Sequence, residues 1–328
     1  MHSNTNPFFT VITPTYNRAH LLSALFGSLN NQTFTDFEWI IADDGSTDNT
    51  DEVIENFIKT ANFQIVYLKL KHGGKHNTCL EAGKHVRGKY VVNIDSDDEL
   101  YAENSLQDIY DEISKLPDDN FWGVGCCFIN QDGKVFPALN TDFEDITQDK
   151  FLEYFTSKSY MLNYFGVFKS ECAKMREHPK SENLAYYPEI VDILQTVLEN
   201  KDYRIRLFNK TWYKYNMYNP DSVTVLHKDS VIFWIECVEI VNLLYKYGLD
   251  KKYKEFIHVR LNRLGRNIYK QKGFKATLDA LQSEEAKKYF IYACCIRRFL
   301  RYIFLIDKQM SRTKVYLLGI KIFALKRK

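Results

Sequence analysis

The chain has 328 residues, 45% hydrophobic and 15% aromatic, so it can bury the cores of two domains and is not a disordered chain. Its net charge of +2 hides an asymmetry: residues 296–328 carry ten Lys/Arg against one acid, Asp307, which makes that end +9 and leaves the rest at −7. The seven cysteines form no CxxC pair and no Cys/His cluster at zinc spacing, and an odd count with two adjacent pairs does not match a disulfide framework, so a reducing cytosol fits best.

Residues 1–7 hold no basic segment followed by an apolar one, so no signal peptide is expected. No run of about 18 uncharged apolar residues is present to span a bilayer. Residues 8–13 (FFTVIT) read as a buried strand ending at Pro14, and residues 19–30 place Leu21, Leu22, Leu25, Phe26 and Leu29 at helical spacing. Strands follow at 37–42, 63–68 and 90–94, with helices at 48–60 and 77–86 between them. This β-α-β-α-β-α-β alternation calls for an α/β fold, a mostly parallel sheet with helices on both faces. Ligands of such sheets sit outside the carboxyl ends of the strands. Here those ends are Pro14-Thr15-Tyr16, Asp43-Asp44 and Asp95 to Asp98.

Farther along, helices are expected at 105–116, 149–158 and 185–200, strands at 123–130 and 203–208, and a turn at 131–134. After Asp229 the periodicity is helical, over 231–247, 251–272, 275–281 and 284–305. The expected division is a ligand-binding domain at 1–228 and a helical, basic region at 229–328.

Three segments at the strand ends carry chemistry. Asp95-Ser96-Asp97-Asp98 packs three carboxylates into four residues, and an oxygen-only set of that density suits a hard cation, Mn²⁺ or Mg²⁺. The alternative is a solvated acidic turn capping the next helix. Asp43-Asp44-Gly45-Ser46-Thr47-Asp48 offers carboxylates to a base N–H or a ribose hydroxyl, or forms an Asp-Gly turn with a helix cap at Ser46 or Asp48. Gly73-Gly74-Lys75-His76-Asn77 opens a helix. Paired glycines admit close backbone approach, and the helix N-terminus with Lys75 favours a diphosphate; the alternative is a flexible loop with a solvated lysine. Cys79 reads as helix packing. No P-loop and no GxGxxG fingerprint occurs.

In this order and spacing, VITPTYNR at 11–18, WIIADDGSTD at 39–48, GGKHN at 73–77 and DSDD at 95–98 resemble the family 2 glycosyltransferases, over roughly residues 8–225. The resemblance implies the GT-A fold, a Rossmann-like sheet flanked by helices, with a helical C-terminal extension. It implies inverting, metal-dependent transfer from a nucleotide-sugar, a UDP-sugar by the family's habit. Pro14, Thr15, Tyr16 and Asp44 would hold the base, with Asp44 accepting from a pyrimidine N–H. Asp43, Gly74, Lys75 and Asn77 would line the donor, Lys75 at the diphosphate or base. Asp95 and Ser96 would reach the ribose or sugar, and Asp97 and Asp98 would bind the metal on the diphosphate. Many members carry a Glu-Asp pair on a later helix whose second residue is the catalytic base. Here residues 186–192 align Glu189 with that base, and Asp192, one helical turn on, is the second candidate. Both also fit plain first-turn acids of a helix opening at Pro188. Residues 215–224 match the loop that closes over the donor, without its usual basic residue; His227 and Lys228 follow.

Inverting transfer needs a base for the acceptor hydroxyl, stabilisation of the departing diphosphate, and in-line positioning; no covalent nucleophile is required. The basic, aromatic stretches 289–305 and 315–328 fit docking on an anionic membrane surface, at ~1 kcal/mol per Lys/Arg, or a helix covering the catalytic domain. No nucleic-acid-binding module is present. The expectation is a cytoplasmic enzyme, peripheral on the inner face of the cytoplasmic membrane. Its acceptor would be a glycan or polyprenyl-linked glycan of capsule, O-antigen or a similar surface polysaccharide. The competing readings are a sugar-nucleotide nucleotidyltransferase, whose glycine-rich basic loop residues 13–18 do not supply, and a non-catalytic membrane-surface sugar-nucleotide binder.

Overall fold

A computed structural model describes residues 6–136, 139–157, 165–171, 189–216, 231–267, 274–291, 294, 304–309, 312–317 and 320–326. The chain divides into two compact units, Met1–Lys228 and Asp229–Lys328.

The first unit opens with β1 (Phe9–Thr15), α1 (Ala19–Asn30), β2 (Phe37–Asp43), α2 (Thr50–Thr60), β3 (Gln64–Lys69), α3 (Lys75–Gly83) and β4 (Tyr90–Asn93). β1 pairs in parallel with β2 and β4, and β2 with β3. β1 and β2 are buried along their whole length, as central strands covered on both faces must be. Val11, Trp39, Ile41, Leu22, Ile54 and Phe57 fill one side of the sheet; Ile12, Ile40, Ala42, Ala82 and Val91 fill the other. Trp39 is fully buried and its Nε1–H donates to Thr13 Oγ1 at 2.9 Å, so truncating it to Ala would cost about 3–5 kcal/mol.

The second half of this unit is built from non-local pairings. It comprises β5 (Glu99–Leu100), α4 (Ser105–Ser114), β6 (Gly123–Asn130), β7 (Val135–Phe136), β8 (Phe143–Thr147), α5 (Gln148–Ser157), β9 (Phe165–Lys169), α6 (Glu189–Glu199) and β10 (Arg204–Tyr215). The sheet runs β3-β2-β1-β4-β9-β6-β10-β5, with β9 inserted antiparallel between β4 and β6. A Cβ on Gly123 would lie 2.1 Å from the Val167 carbonyl oxygen, so only glycine lets β6 approach β9. Sequence periodicity finds neither β8 nor β9, both five residues long. It also ends β10 at 208, because register irregularities between Phe208, Thr211 and Tyr213 break the two-residue alternation.

The second unit holds α7 (Val231–Lys246), α8 (Lys254–Asn267), α9 (Phe274–Ala280) and a helix over 284–291. The helix expected to run to 305 is corrected at its far end. β11 (Phe304–Gln309), β12 (Arg312–Leu317) and β13 (Ile320–Lys326) form an antiparallel sheet. Among the described residues, no helix is long and apolar enough to cross a membrane.

Candidate donor and metal site

Register brings the expected strand ends to one rim. Thr15 pairs with Asp43 across β1 and β2, and Ile94 N–H donates to Ile12 O on the other flank of β1. The loop after β1 turns at Asn17, whose φ of 51° lies in the left-handed region that asparagine tolerates. Asn17 N–H donates to Ser46 Oγ at 2.8 Å and Asn17 Oδ1 accepts from Thr47 N–H at 2.7 Å. Asp48 accepts from the amides of Ala19 and Thr50, serving the N-termini of α1 and α2. Desolvation raises the Asp48 pKa, but the bonds from Thr50 and Ala19 outweigh it and hold the carboxyl below its usual value. Ser46 and Asp48 therefore act as turn and cap residues.

Asp43 is fully buried; its Oδ1 accepts from Ser46 N–H at 2.9 Å and its Oδ2 from the Tyr67 hydroxyl at 2.9 Å. Asp44, 4% exposed, accepts from Gly73 N–H at 2.7 Å and from Gly74 N–H at 2.9 Å, and the His72 imidazole stands 2.9 Å from its Oδ2. The predicted base acceptor thus also fastens the Gly73-Gly74 loop. Gly74 has φ 88° and Gly45 φ 80°, and a Cβ on Gly45 would lie 3.0 Å from His72 N, so this close packing needs glycine. Tyr16, 42% exposed, stacks on His72 with ring centroids 4.4 Å apart. Pro14 and Thr15 are buried. Thr15 Oγ1 and Asn77 Oδ1 are buried without a hydrogen-bond partner among the described residues, while Asn77 Nδ2 donates to Gly73 O.

At the end of β4, Asp98 N–H donates to Asp95 O at 3.0 Å, closing a turn that gathers the acids. Asp95, Asp97 and Asp98 each offer a carboxylate oxygen, all within 4.8 Å of one another. Lys75 Nζ lies 2.9 Å from Asp95 Oδ2, and Arg18 Nη1 lies 3.4 Å from Asp97 Oδ1 and 3.3 Å from the buried Ser96 Oγ. Asp98, 2% exposed, accepts from the Tyr213 hydroxyl and from Asn216 N–H at 2.7 Å. Burial, then the charge of Asp95, pushes its pKa up to about 7 against the hydrogen bonds from Asn216 and Tyr213. An oxygen-only trio of this spacing fits a hard divalent cation.

Glu189 is the first residue of α6, and its side chain lies outside the described residues. Asp192 is 2% exposed, with its Oδ2 at 3.6 Å from His76 Nδ1. Residues 217–228, with most of the expected closing loop, also lie outside the described residues. Sequence reasoning gave no role to Arg18, His72, His76 or Tyr213. Arg18 and His76 lie inside quoted motifs and His72 beside one, so all three were findable there; Tyr213 stands 115 residues from Asp98 and left no local trace.

A family profile described as Glycosyl transferase family 2 matches residues 10–175, about half of the chain. The chain is 27% identical over 259 residues to the GalNAc(5)-diNAcBac-PP-undecaprenol beta-1,3-glucosyltransferase of Campylobacter jejuni, covering 76% of this chain and 79% of that protein. It is 36% identical over 97 residues to the poly(ribitol-phosphate) beta-N-acetylglucosaminyltransferase TarS of Staphylococcus aureus, covering 29% of this chain and only 17% of that one. The crystal structure of S. aureus TarS 1-349 with UDP-GlcNAc superposes with a TM-score of 0.53 at 18% identity, over 94% of this chain and 96% of that one. At that identity the likeness bears on the fold, and the expected α/β architecture is borne out.

Proposed function

This chain belongs to glycosyl transferase family 2, and from that premise we propose that it transfers a sugar from a UDP-sugar, with inversion and a divalent cation, to a hydroxyl of a bacterial surface glycan. The observation that carries the reading is the meeting of Asp95 and Asp97 with Lys75 and Arg18 on one rim, beside the Tyr16–His72 stack. Buried Thr15 Oγ1 and Asn77 Oδ1, without partners among the described residues, are the kind of polar atoms a ligand satisfies.

Asp97 and Asp98, with Asp95 beside them, would hold Mn²⁺ or Mg²⁺. Asp98, whose oxygens accept from Tyr213 and Asn216, braces the turn against β10. The bound cation supplies Lewis-acid stabilisation of the leaving diphosphate. Lys75 and Arg18 are the cations the chain itself offers at that rim. Tyr16 presents the aromatic surface for the base, and Asp44 fixes the Gly73-Gly74 loop while offering its carboxylate to the base N–H. Removing the acceptor proton falls to α6, where Glu189 and Asp192 are the candidates.

Both named relatives form beta-linked products, the outcome of inversion from an α-linked nucleotide sugar. One of them acts on an undecaprenol-linked substrate, which supports a polyprenyl-linked acceptor here. The ten Lys/Arg against one acid in residues 296–328 support docking at an anionic inner membrane surface. The test is hydrolysis of a panel of nucleotide sugars with Mn²⁺ or Mg²⁺ and no acceptor. Metal-dependent release of UDP from one donor is expected; no nucleotide diphosphate released from any donor overturns the reading.

A further inference from the structure

We infer that His76 is a positioning residue for this reaction: it holds Asp192, and through it α6, in register with the donor end of α3. The inference rests on the glycosyl-transfer reading above. Asp192 shares α6 with Val191, Leu194 and Val197, all buried, and is itself 2% exposed. A carboxylate taken out of water costs several kcal/mol unless a polar or charged partner meets it. His76, 8% exposed, brings Nδ1 to 3.6 Å from Asp192 Oδ2. That separation is just beyond hydrogen-bond length, and a shift of well under ~1 Å closes it; such contacts are often long before substrate binds.

The first turn of α3 reaches two ways. Lys75 Nζ meets Asp95 at the end of β4, and the next residue, His76, meets Asp192 on α6. The loop that leads into the turn is pinned in turn, because Asp44 accepts from Gly73 and Gly74 N–H. α3 is therefore a strut tied to the acidic run, the Gly-Gly loop and the helix that carries both candidate bases. Misplacing a reacting group by ~1 Å costs about 100-fold in rate, which is the leverage assigned to His76. A brace with no bearing on turnover would change stability alone.

The full chain is assayed as wild type, His76→Leu, His76→Asn, Asp192→Asn and the His76→Leu/Asp192→Asn double variant, by metal-dependent hydrolysis of the UDP-sugar turned over fastest in the donor panel. His76→Leu is expected to lower kcat by roughly 30- to 100-fold while KM moves less than about 3-fold. His76→Asn, which keeps an N–H near the place of Nδ1, is expected to recover most of that loss. In the Asp192→Asn background, His76→Leu is expected to add little. Unchanged kcat in folded His76→Leu, or equal loss in His76→Asn, overturns the inference. Hydrogen exchange across residues 189–199 reads the contact without turnover: faster exchange in His76→Leu and restored protection in His76→Asn are expected, and unchanged exchange overturns it. A wild type that hydrolyses no donor defeats the glycosyl-transfer reading, and with it the positioning role, whatever the exchange result.

Discussion

Asp43-Asp44 and Asp95 to Asp98 end the two strands that flank β1, yet they are neutralised by opposite means. The first pair is met largely by neutral donors: Ser46, the Tyr67 hydroxyl, and the amides of Gly73 and Gly74, with His72 at its edge. The second run is met by the cations Lys75 and Arg18, and only its last member is given to a hydroxyl and an amide. Equivalent positions with the same residue type therefore do different work. The run whose own loops supply N–H groups becomes scaffold, and the run left to cations keeps room for a metal.

The contrast is sharpened most by removing its cation arm. Asp97→Asn, or a chelator on the wild type, should lower donor hydrolysis by about 10³-fold, ~4 kcal/mol, with Mn²⁺ restoring the chelated wild type and not the variant. Folding should be little changed, because Asp97 is partly exposed. Next in size is a pH effect at Asp98. Its folded pKa of about 7 stands above the ordinary aspartate value of about 3.9, so the native state binds the extra proton between those values. Stability of metal-free protein should therefore fall as pH rises from ~4 to ~7, by at most about 4 kcal/mol from this group. Denaturant titrations at pH 5 and 8 should show that slope in wild type, a smaller one in Asp98→Asn, and relief on adding Mn²⁺.

The neutral-donor arm should respond in stability before turnover. Asp44→Asn replaces an acceptor-only group that serves two amides, and a loss of about 2 kcal/mol in urea unfolding is expected, with weakened UDP affinity. Were Asp44→Asn to spare stability and abolish UDP binding, the two runs would be alike in kind. The smallest effect is Gly45→Ala, at about 1–2 kcal/mol, from a φ of 80° and a Cβ 3.0 Å from His72 N; thermal unfolding measures it.

These differences also set what a sequence reading can reach. The first four strands and three helices were legible because each is a local apolar run with its own period, closed by Asp-Gly or Gly-Gly punctuation. β8 and β9 were not, because five residues carry too little periodicity and their pairing partners lie far along the chain. In the tail, alternating residues such as Ile320-Lys321-Ile322 sit among basic aromatic stretches that also fit a helix, so the sheet at 304–326 went unseen. At the site, residue types announced the rim. Which oxygens are already taken was hidden, since Gly73, Gly74 and Asn216 donate through the backbone, which every residue but proline possesses.

The insertion of β9 between β4 and β6 bears on how the protein is made. As the chain leaves the ribosome, β1 to β4 can pair first, but β4 then presents an open edge until residues 165–169 are translated. The acidic turn waits longer still, because the hydroxyl and amide that quiet Asp98 come 115 and 118 residues later. An early fragment ending before β9 therefore carries the four sequence motifs of residues 11–98 with the β4 edge still unpaired.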